Sequence, residues 1–414
     1  MSEPAVTQVN EAAIRRARVA FVLPQCTHYT QGLFETLAAR YEADFFFFSD
    51  GKDWYWEQRN GYRRGRFRHE YLSGFRVGSM RILHSLPKRL LSAQYDAIVA
   101  AIDGRFALPV SMVCARLKRI PFVLWTGIWN RIDTLFHRTV FPVTRFVYRN
   151  ADAVVTYGTH VRRYLEREGV QGERIFVAPH AVDNAAISRT VPETEATSLR
   201  KRVRLSESQL MLLFVGRLEP VKGVAYLLEA MIKLRRSDVQ LVIVGNGSEG
   251  ENLRWAAGQL GLQDRVYFVG YVSPEQTRVY YAAAFGFVLP SVTTPREKET
   301  WGSVVNEAMN QGVPVIATEA VGAAAGGLVL DGVNGFVVPE KDSSALARAI
   351  ETLAADALLR KRMSDAARSA VTVWNHERMA DGFGQALSYV FARSKSLSAE
   401  RWGSSAQTEA GGPA

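Results

Sequence analysis

Val215-Gly216-Arg217-Leu218-Glu219-Pro220-Val221-Lys222-Gly223 decides how the chain is read, together with Glu299-Thr300-Trp301-Gly302-Ser303-Val304-Val305-Asn306-Glu307-Ala308-Met309. The first stretch has the pattern of a strand running into a glycine-rich turn that carries an Arg and a Lys five positions apart. The second sets two glutamates eight positions apart around a glycine and a helix start. Two fixed cations suit a diphosphate, because guanidinium and ammonium groups make charge-assisted hydrogen bonds to phosphate oxygens. Two carboxylates suit the hydroxyls of a ribose and a sugar, because an ionised carboxylate only accepts. A nucleotide-sugar site uses all four side chains.

Around these stretches, short apolar runs alternate with longer helical patterns, which predicts parallel sheets joined by crossover helices. Strands are expected at 18–23, 44–48, 96–101, 122–125, 153–156 and 175–178, then at 210–216, 240–245, 266–270, 285–289, 313–317 and 335–338. This pattern gives an α/β fold of two Rossmann-like halves, at 17–185 and 209–372, with the polar stretch 186–208 as linker. An amphipathic helix follows at 373–393, and residues 1–16 and 394–414 are expected to be disordered.

The 414 residues suffice for two domains with proper cores. With 47% apolar and 22% charged residues, the chain falls in the soluble globular class. Cys26 and Cys114 are the only cysteines, which excludes a disulfide framework or cysteine metal cluster and makes a reducing, cytoplasmic setting the expectation. No apolar run approaches the roughly 18 residues that span a bilayer, and the N-terminal residues lack the apolar region of a secretion signal. The net charge of +10 is unevenly placed: positions 52–149 hold 18 Lys and Arg against 6 Asp and Glu, a balance of +12. Trp54, Tyr55, Trp56, Tyr62, Phe67, Tyr71, Phe75, Phe136, Phe141, Phe146 and Tyr148 are interleaved with them. An anionic membrane surface, a nucleic acid or an ordinary solvated face all fit that mixture. No nucleic-acid-binding motif accompanies it.

Arg217 and Lys222 follow a strand, where open α/β sheets place their ligands. Gly216 and Gly223 permit a tight turn and close approach of phosphate. Gly302 and Ser303 sit where a helix begins, and free N–H groups near Gly302–Val304 would point at an anion. Glu307 lies about one turn further on, among residues with a buried pattern, and a partly buried carboxylate needs donors. Gly245-Asn246-Gly247-Ser248-Glu249-Gly250 fits the dinucleotide fingerprint, yet the next strand ends in Tyr271 and Val272 rather than an acid. That departure argues against NAD(P).

From Gly216 to Pro339 the chain resembles the retaining glycosyltransferases of family four (glycosyl transferases group 1), whose fold is GT-B: two Rossmann-like domains facing each other across a cleft. The resemblance rests on Gly216-Arg217 to Lys222-Gly223, Gly245-Asn246-Gly247, Gly270-Tyr271-Val272, Leu289-Pro290-Ser291, Glu299 to Glu307-Ala308-Met309, Gly312-Val313-Pro314-Val315-Ile316-Ala317 and Asn334-Gly335-Phe336-Val337-Val338-Pro339. It implies that Arg217 and Lys222 hold the donor diphosphate, that Glu307 binds the ribose and that Glu299 contacts the donor sugar. Backbone at Gly302, Ser303 and Val304 would cap a phosphate, and the base would lie near Gly245, Tyr271 and Val272. Arg217, Lys222 and Glu299 are thus the catalytic candidates. No Asp-x-Asp pair is present, so neither a metal nor another cofactor is expected. The helix at 373–393 resembles the one that crosses back onto the first domain in this fold.

The first half departs from the family. Its usual Gly-rich loop reads Pro24-Gln25-Cys26-Thr27-His28-Tyr29-Thr30-Gln31-Gly32, with one glycine. The family often places a functional His after the strand at 122–125, where this chain has Trp125-Thr126-Gly127-Ile128-Trp129. Gly32, His28, Asp103, His137 and His180 remain as cleft candidates. The expected activity is transfer of a sugar from a nucleotide-sugar donor to a glycan or lipid-linked acceptor, in polysaccharide or glycolipid synthesis at the inner membrane face. A nucleotide-sugar epimerase or hydrolase, or a non-catalytic nucleotide-sugar-binding scaffold, are the alternatives; nucleic acid is not an expected partner.

Overall fold

The central strands of the first sheet, such as Ala97–Ala101 and Phe122–Thr126, are buried on both faces, so the sheet has to be covered twice. The structure, a computed structural model, describes residues 17–49, 66–78 and 80–403. Its first half runs β1 (Arg18–Leu23), β2 (Glu42–Phe47), β3 (His69–Tyr71), β4 (Phe75–Val77), β5 (Met80–Ile82), β6 (Ala97–Ala101), β7 (Phe122–Thr126), β8 (Ala153–Thr156) and β9 (Ile175–Val177). Seven of these form a sheet in the order β3-β2-β1-β6-β7-β8-β9, parallel throughout, while β4 and β5 pair as a small antiparallel hairpin. Alternation along β1 sends Val19, Phe21 and Leu23 to one face and Ala20 and Val22 to the other. Met379, Phe383 and Leu387 of the last helix cover the first face. Leu108, Met112, Val147 and Tyr148, from the helices Ala107–Lys118 and Leu135–Asn150, cover the second.

The second half runs β10 (Leu210–Val215), β11 (Val239–Val244), β12 (Val266–Gly270), β13 (Gly286–Leu289), β14 (Val315–Thr318) and β15 (Gly335–Val338). They form one parallel sheet in the order β12-β11-β10-β13-β14-β15. Strand order reverses between β1 and β6 in the first sheet and between β10 and β13 in the second. Ligands of open α/β sheets sit beyond the carboxyl ends of strands at such reversals. The loops after β1, β6, β10 and β13 carry His28, Asp103, Arg217 with Lys222, and Glu299.

The twelve expected strands are all present, with ends shifted by a few residues. Sequence reading missed β3, β4 and β5, three-residue strands in an Arg-rich stretch without the usual alternation. The expected linker is not one: the helix Glu193–Arg202 packs on the helix Pro274–Ala283, and its Leu199 is buried in the second core. A polar sequence hid that helix because one apolar anchor suffices to dock it. The expected disordered tail also starts too early, since the last helix runs His376–Gly403. Residues 1–16 and 404–414, with Trp54, Tyr55, Trp56 and Tyr62 of the basic segment, lie outside the described residues.

The last helix crosses back onto the first half at very close range. A Cβ on Gly382 would sit 2.6 Å from the backbone of Val177 and Ala178, whereas one on Gly258 would meet nothing within 4 Å. Gly382→Ala should therefore lower stability by about 1–3 kcal/mol. Gly258→Ala, inside the helix Gly250–Gln259, should raise it by roughly 0.5–1 kcal/mol. Urea denaturation of the two variants checks the pair.

Candidate active site

β10 delivers the chain to Gly216 and Arg217 at the reversal of the second sheet. Arg217 is exposed there. The turn Pro220–Lys222 follows and is closed by Gly223 at φ 63, a left-handed conformation that favours glycine. It also needs glycine for room, since a Cβ on Gly223 would lie 2.1 Å from the Pro290 carbonyl oxygen. The turn thus seats Lys222 against the loop that follows β13. Lys222 is only 9% exposed, and its Nζ is ion-paired with Glu299 Oε2. Ser291 Oγ donates to the same carboxylate oxygen at 3.2 Å. The expected diphosphate cation and the expected sugar-binding acid are therefore direct partners.

The helix Ser303–Asn310 begins as expected, with Gly302 in the left-handed region at φ 89. Glu307 projects one turn in, where the Tyr281 hydroxyl donates to Oε2 at 3.0 Å. Burial and the neighbouring carboxylate push the Tyr281 phenol well up, so it stays protonated and can donate. His28 Nε2 approaches Glu307 Oε1 at 3.8 Å from the first half. Glu307 is thus addressed from both domains.

The glycines of the 245–250 turn have a packing role. A Cβ on Gly245 would fall 1.9 Å from the Gly216 carbonyl oxygen, and one on Gly247 would fall 2.4 Å from that of Leu218. Buried Glu219 ties the turn down by accepting from Ser248 N at 3.0 Å and Ser248 Oγ at 2.7 Å. Gly245 therefore seats the Arg217 loop. Tyr271, exposed, and Val272, half-buried, follow β12 at the rim.

Interdomain contacts converge on the same loops. His180 Nε2 lies 2.8 Å from Ser303 Oγ, and its carbonyl accepts from Asn306 Nδ2 at 3.3 Å. Ser303, expected at a phosphate cap, thus spends its hydroxyl on the first half, which leaves the backbone of Ser303 and Val304 for an anion. Trp129 Nε1 donates to the Glu299 carbonyl at 2.9 Å, and Lys298 Nζ sits 3.8 Å over the same indole. Asp133 N donates to Pro295 O at 2.8 Å. The loop carrying Glu299 is thus held by the loop where the family's His was expected.

Two other candidates have different roles from those expected. Gly32 packs against the last helix, because a Cβ there would lie 2.2 Å from His376 Nδ1. His137 Nδ1 sits 2.7 Å from Thr134 Oγ1 at the N-cap of the helix Leu135–Asn150, a capping position. Asp103 stands at the reversal of the first sheet. Desolvation by the surrounding protein raises its pKa, although the residue as a whole is exposed.

A family profile described as Glycosyltransferase Family 4 matches residues 27–186, and one described as Glycosyl transferases group 1 matches residues 195–370. Together they take in both halves. The chain belongs to the group 1 glycosyltransferases. It is 33% identical over 240 residues to alpha-D-kanosaminyltransferase of Streptomyces kanamyceticus, covering 56% of this chain and 60% of that one. It is 35% identical over 212 residues to D-inositol 3-phosphate glycosyltransferase of Xylanimonas cellulosilytica, covering 49% of this chain and 48% of that one. The chain thus spans only about half to three-fifths of the curated relatives it matches. Anabaena HepE in complex with UDP-glucose superposes with a TM-score of 0.72 at 22% identity, over 90% of this chain and 100% of that one. The fold is GT-B.

Sequence reading did not place Tyr29, Trp129, Tyr157, His160, Tyr281 and Ser291 beside this site. Their signal is purely spatial. Tyr29 lies within electrostatic reach of Arg217, Glu307 and Glu299. His160 is 4% exposed between Trp129 and Trp301, with Nε2 3.4 Å from Thr300 O and no hydrogen-bond partner at Nδ1 among the described residues.

Burial, the main cause, lowers His160 from 6.5 to about 4 and His180 from 6.5 to about 3. Both imidazoles are neutral in the fold, whereas the unfolded chain protonates them below about pH 6.5. Their contribution is therefore intact above that pH and lost as pH falls toward the folded values. Each group adds up to about 1.4 kcal/mol of lost stability per pH unit. His160→Phe keeps an aromatic ring between Trp129 and Trp301 but cannot titrate. Urea unfolding at pH 7 and pH 5 should show a smaller acid loss for His160→Phe than for the wild type.

Proposed function

We propose that this chain is a retaining, metal-independent glycosyltransferase that moves a sugar from a nucleoside-diphosphate sugar to a glycan or lipid-linked acceptor. We place it in the cytoplasm, docked peripherally at the inner membrane face, in polysaccharide or glycolipid synthesis. One observation carries the reading: Arg217, the Lys222–Glu299 pair and Glu307 flank a single sheet reversal that faces the first half.

In this reading the bond between sugar and diphosphate breaks while negative charge grows on the leaving phosphate. Arg217 and Lys222 stabilise that charge, and N–H groups at the start of Ser303–Asn310 add a fixed dipole. Lys222 is already partnered by Glu299, so a diphosphate shares the ammonium and leaves the carboxylate free to accept from sugar hydroxyls. Glu307, with one oxygen held by Tyr281, accepts from the ribose. Closure against Trp129 and His180 excludes water and so favours transfer over hydrolysis. HepE, a protein of the same fold, is described with UDP-glucose, which supports this class of donor.

Membrane docking is supported by the helix Leu135–Asn150 and its neighbours. Leu135, Val143 and Phe146 are exposed, as are Val113 and Leu117 of Ala107–Lys118, with Arg145 and Arg149 interspersed. Among the described residues no helix is long and apolar enough to cross a membrane. Each cation near an anionic leaflet contributes roughly 1 kcal/mol. Arg138 and Arg145 already pair with Asp133 and Glu168, which lowers their share.

Arg217→Ala should cut turnover by about 10²–10³-fold, the loss typical of removing one charge-stabilising donor. Near-normal activity in a donor-consumption assay would remove Arg217 from the chemistry. Anionic vesicles should bind the chain at low salt and release it at high salt, as sedimentation would show. Failure to bind at low salt would point to a soluble acceptor.

A further inference from the structure

Gly127 follows β7 at the carboxyl edge of the first sheet, and Tyr157 follows β8, the adjacent strand. A Cβ on Gly127 would lie 2.2 Å from Tyr157 Cε2 and 2.3 Å from its Cδ2. The tyrosine ring therefore fills the space that any side chain at 127 would need. Trp125 holds it edge-on at 5.9 Å between centroids, and His180 holds it at 4.8 Å. The ring packs against the cores of both halves. His180 in turn reaches Ser303 at the helix start beside Glu299.

The other end of the ring is polar. Tyr157 is half-buried, and its hydroxyl has no hydrogen-bond partner among the described residues. It lies within electrostatic reach of Tyr29 and Asp103. Tyr29 is in turn within reach of Arg217, Glu299 and Glu307. Burial raises the Tyr157 phenol, so it remains a donor at neutral pH. A ring fixed by Gly127, Trp125 and His180, with a hydroxyl that no described residue hydrogen-bonds, can donate that group to a ligand hydroxyl.

We propose that Tyr157 is a sugar-contacting residue, its phenol donating to a hydroxyl of the donor's sugar, and that Gly127 is the gap that seats it. This rests on the functional reading above. Gly127 and Tyr157 then work as one unit, since filling the gap expels the ring.

The experiment measures binding of UDP-glucose, GDP-mannose, ADP-glucose and TDP-glucose by calorimetry, each beside its nucleoside diphosphate without sugar. Tyr157→Phe keeps the ring and removes only the hydroxyl. It should weaken the sugar nucleotide that the wild type binds best by roughly 3- to 10-fold. It should leave the nucleoside diphosphate unchanged and the melting temperature near that of the wild type. Gly127→Ala should lose as much, and the double variant no more than either alone. Equal loss for both ligand classes, or no loss in Tyr157→Phe, overturns the assignment while leaving the glycosyltransferase reading intact. Absence of binding by the wild type to all four sugar nucleotides overturns the functional reading and this inference with it. Should Gly127→Ala fail to fold, Tyr157→Phe alone decides.

Discussion

The ion pair between Lys222 and Glu299 is the constraint around which the site is arranged. Both side chains are nearly buried, and removing one partner from such a pair costs about 3–5 kcal/mol through the stranded charge. The fold therefore has to bring two distant loops together, one after β10 and one after β13, at a fixed spacing. It does so with Gly223 pressed on Pro290, Ser291 donating to Glu299, and Trp129 holding the Glu299 carbonyl from the other half. A pair that only stabilised the fold would gain little over packed apolar side chains. Its place at a sheet reversal, next to exposed Arg217, is where open α/β sheets hold their ligands.

The second half was legible because its motifs are local. A strand followed by Gly216-Arg217 and a turn ending in Lys222-Gly223 states its geometry within nine residues. Gly302 before an apolar-periodic run states where a helix starts. Gly245-Asn246-Gly247 fits the dinucleotide fingerprint, and the close approach to Gly216 adds a packing reason for glycine at 245. The helix Glu193–Arg202 escaped notice because it carries one buried leucine on an otherwise charged surface.

The first half was legible as fold and obscure as site. Its strands announce themselves by apolar runs, yet its functional groups are assembled across long sequence distances. Trp129 meets Glu299 across 170 residues, and His180 meets Ser303 across 123. No spacing rule reaches that far. Gly32, read as a cleft candidate, packs against a histidine of the last helix 344 positions away. Buried neutral imidazoles give no signal either, because sequence shows a histidine without showing its solvent.

The central claim is that a diphosphate is shared between Arg217 and Lys222 while Glu299 turns to the attached sugar. A crystal structure with bound sugar nucleotide tests it most directly. The account requires phosphate oxygens within hydrogen-bond distance of both cations, with Glu299 accepting from sugar hydroxyls. A nucleotide bound elsewhere, with Lys222 contacting only Glu299 and Arg217 turned to solvent, would contradict it.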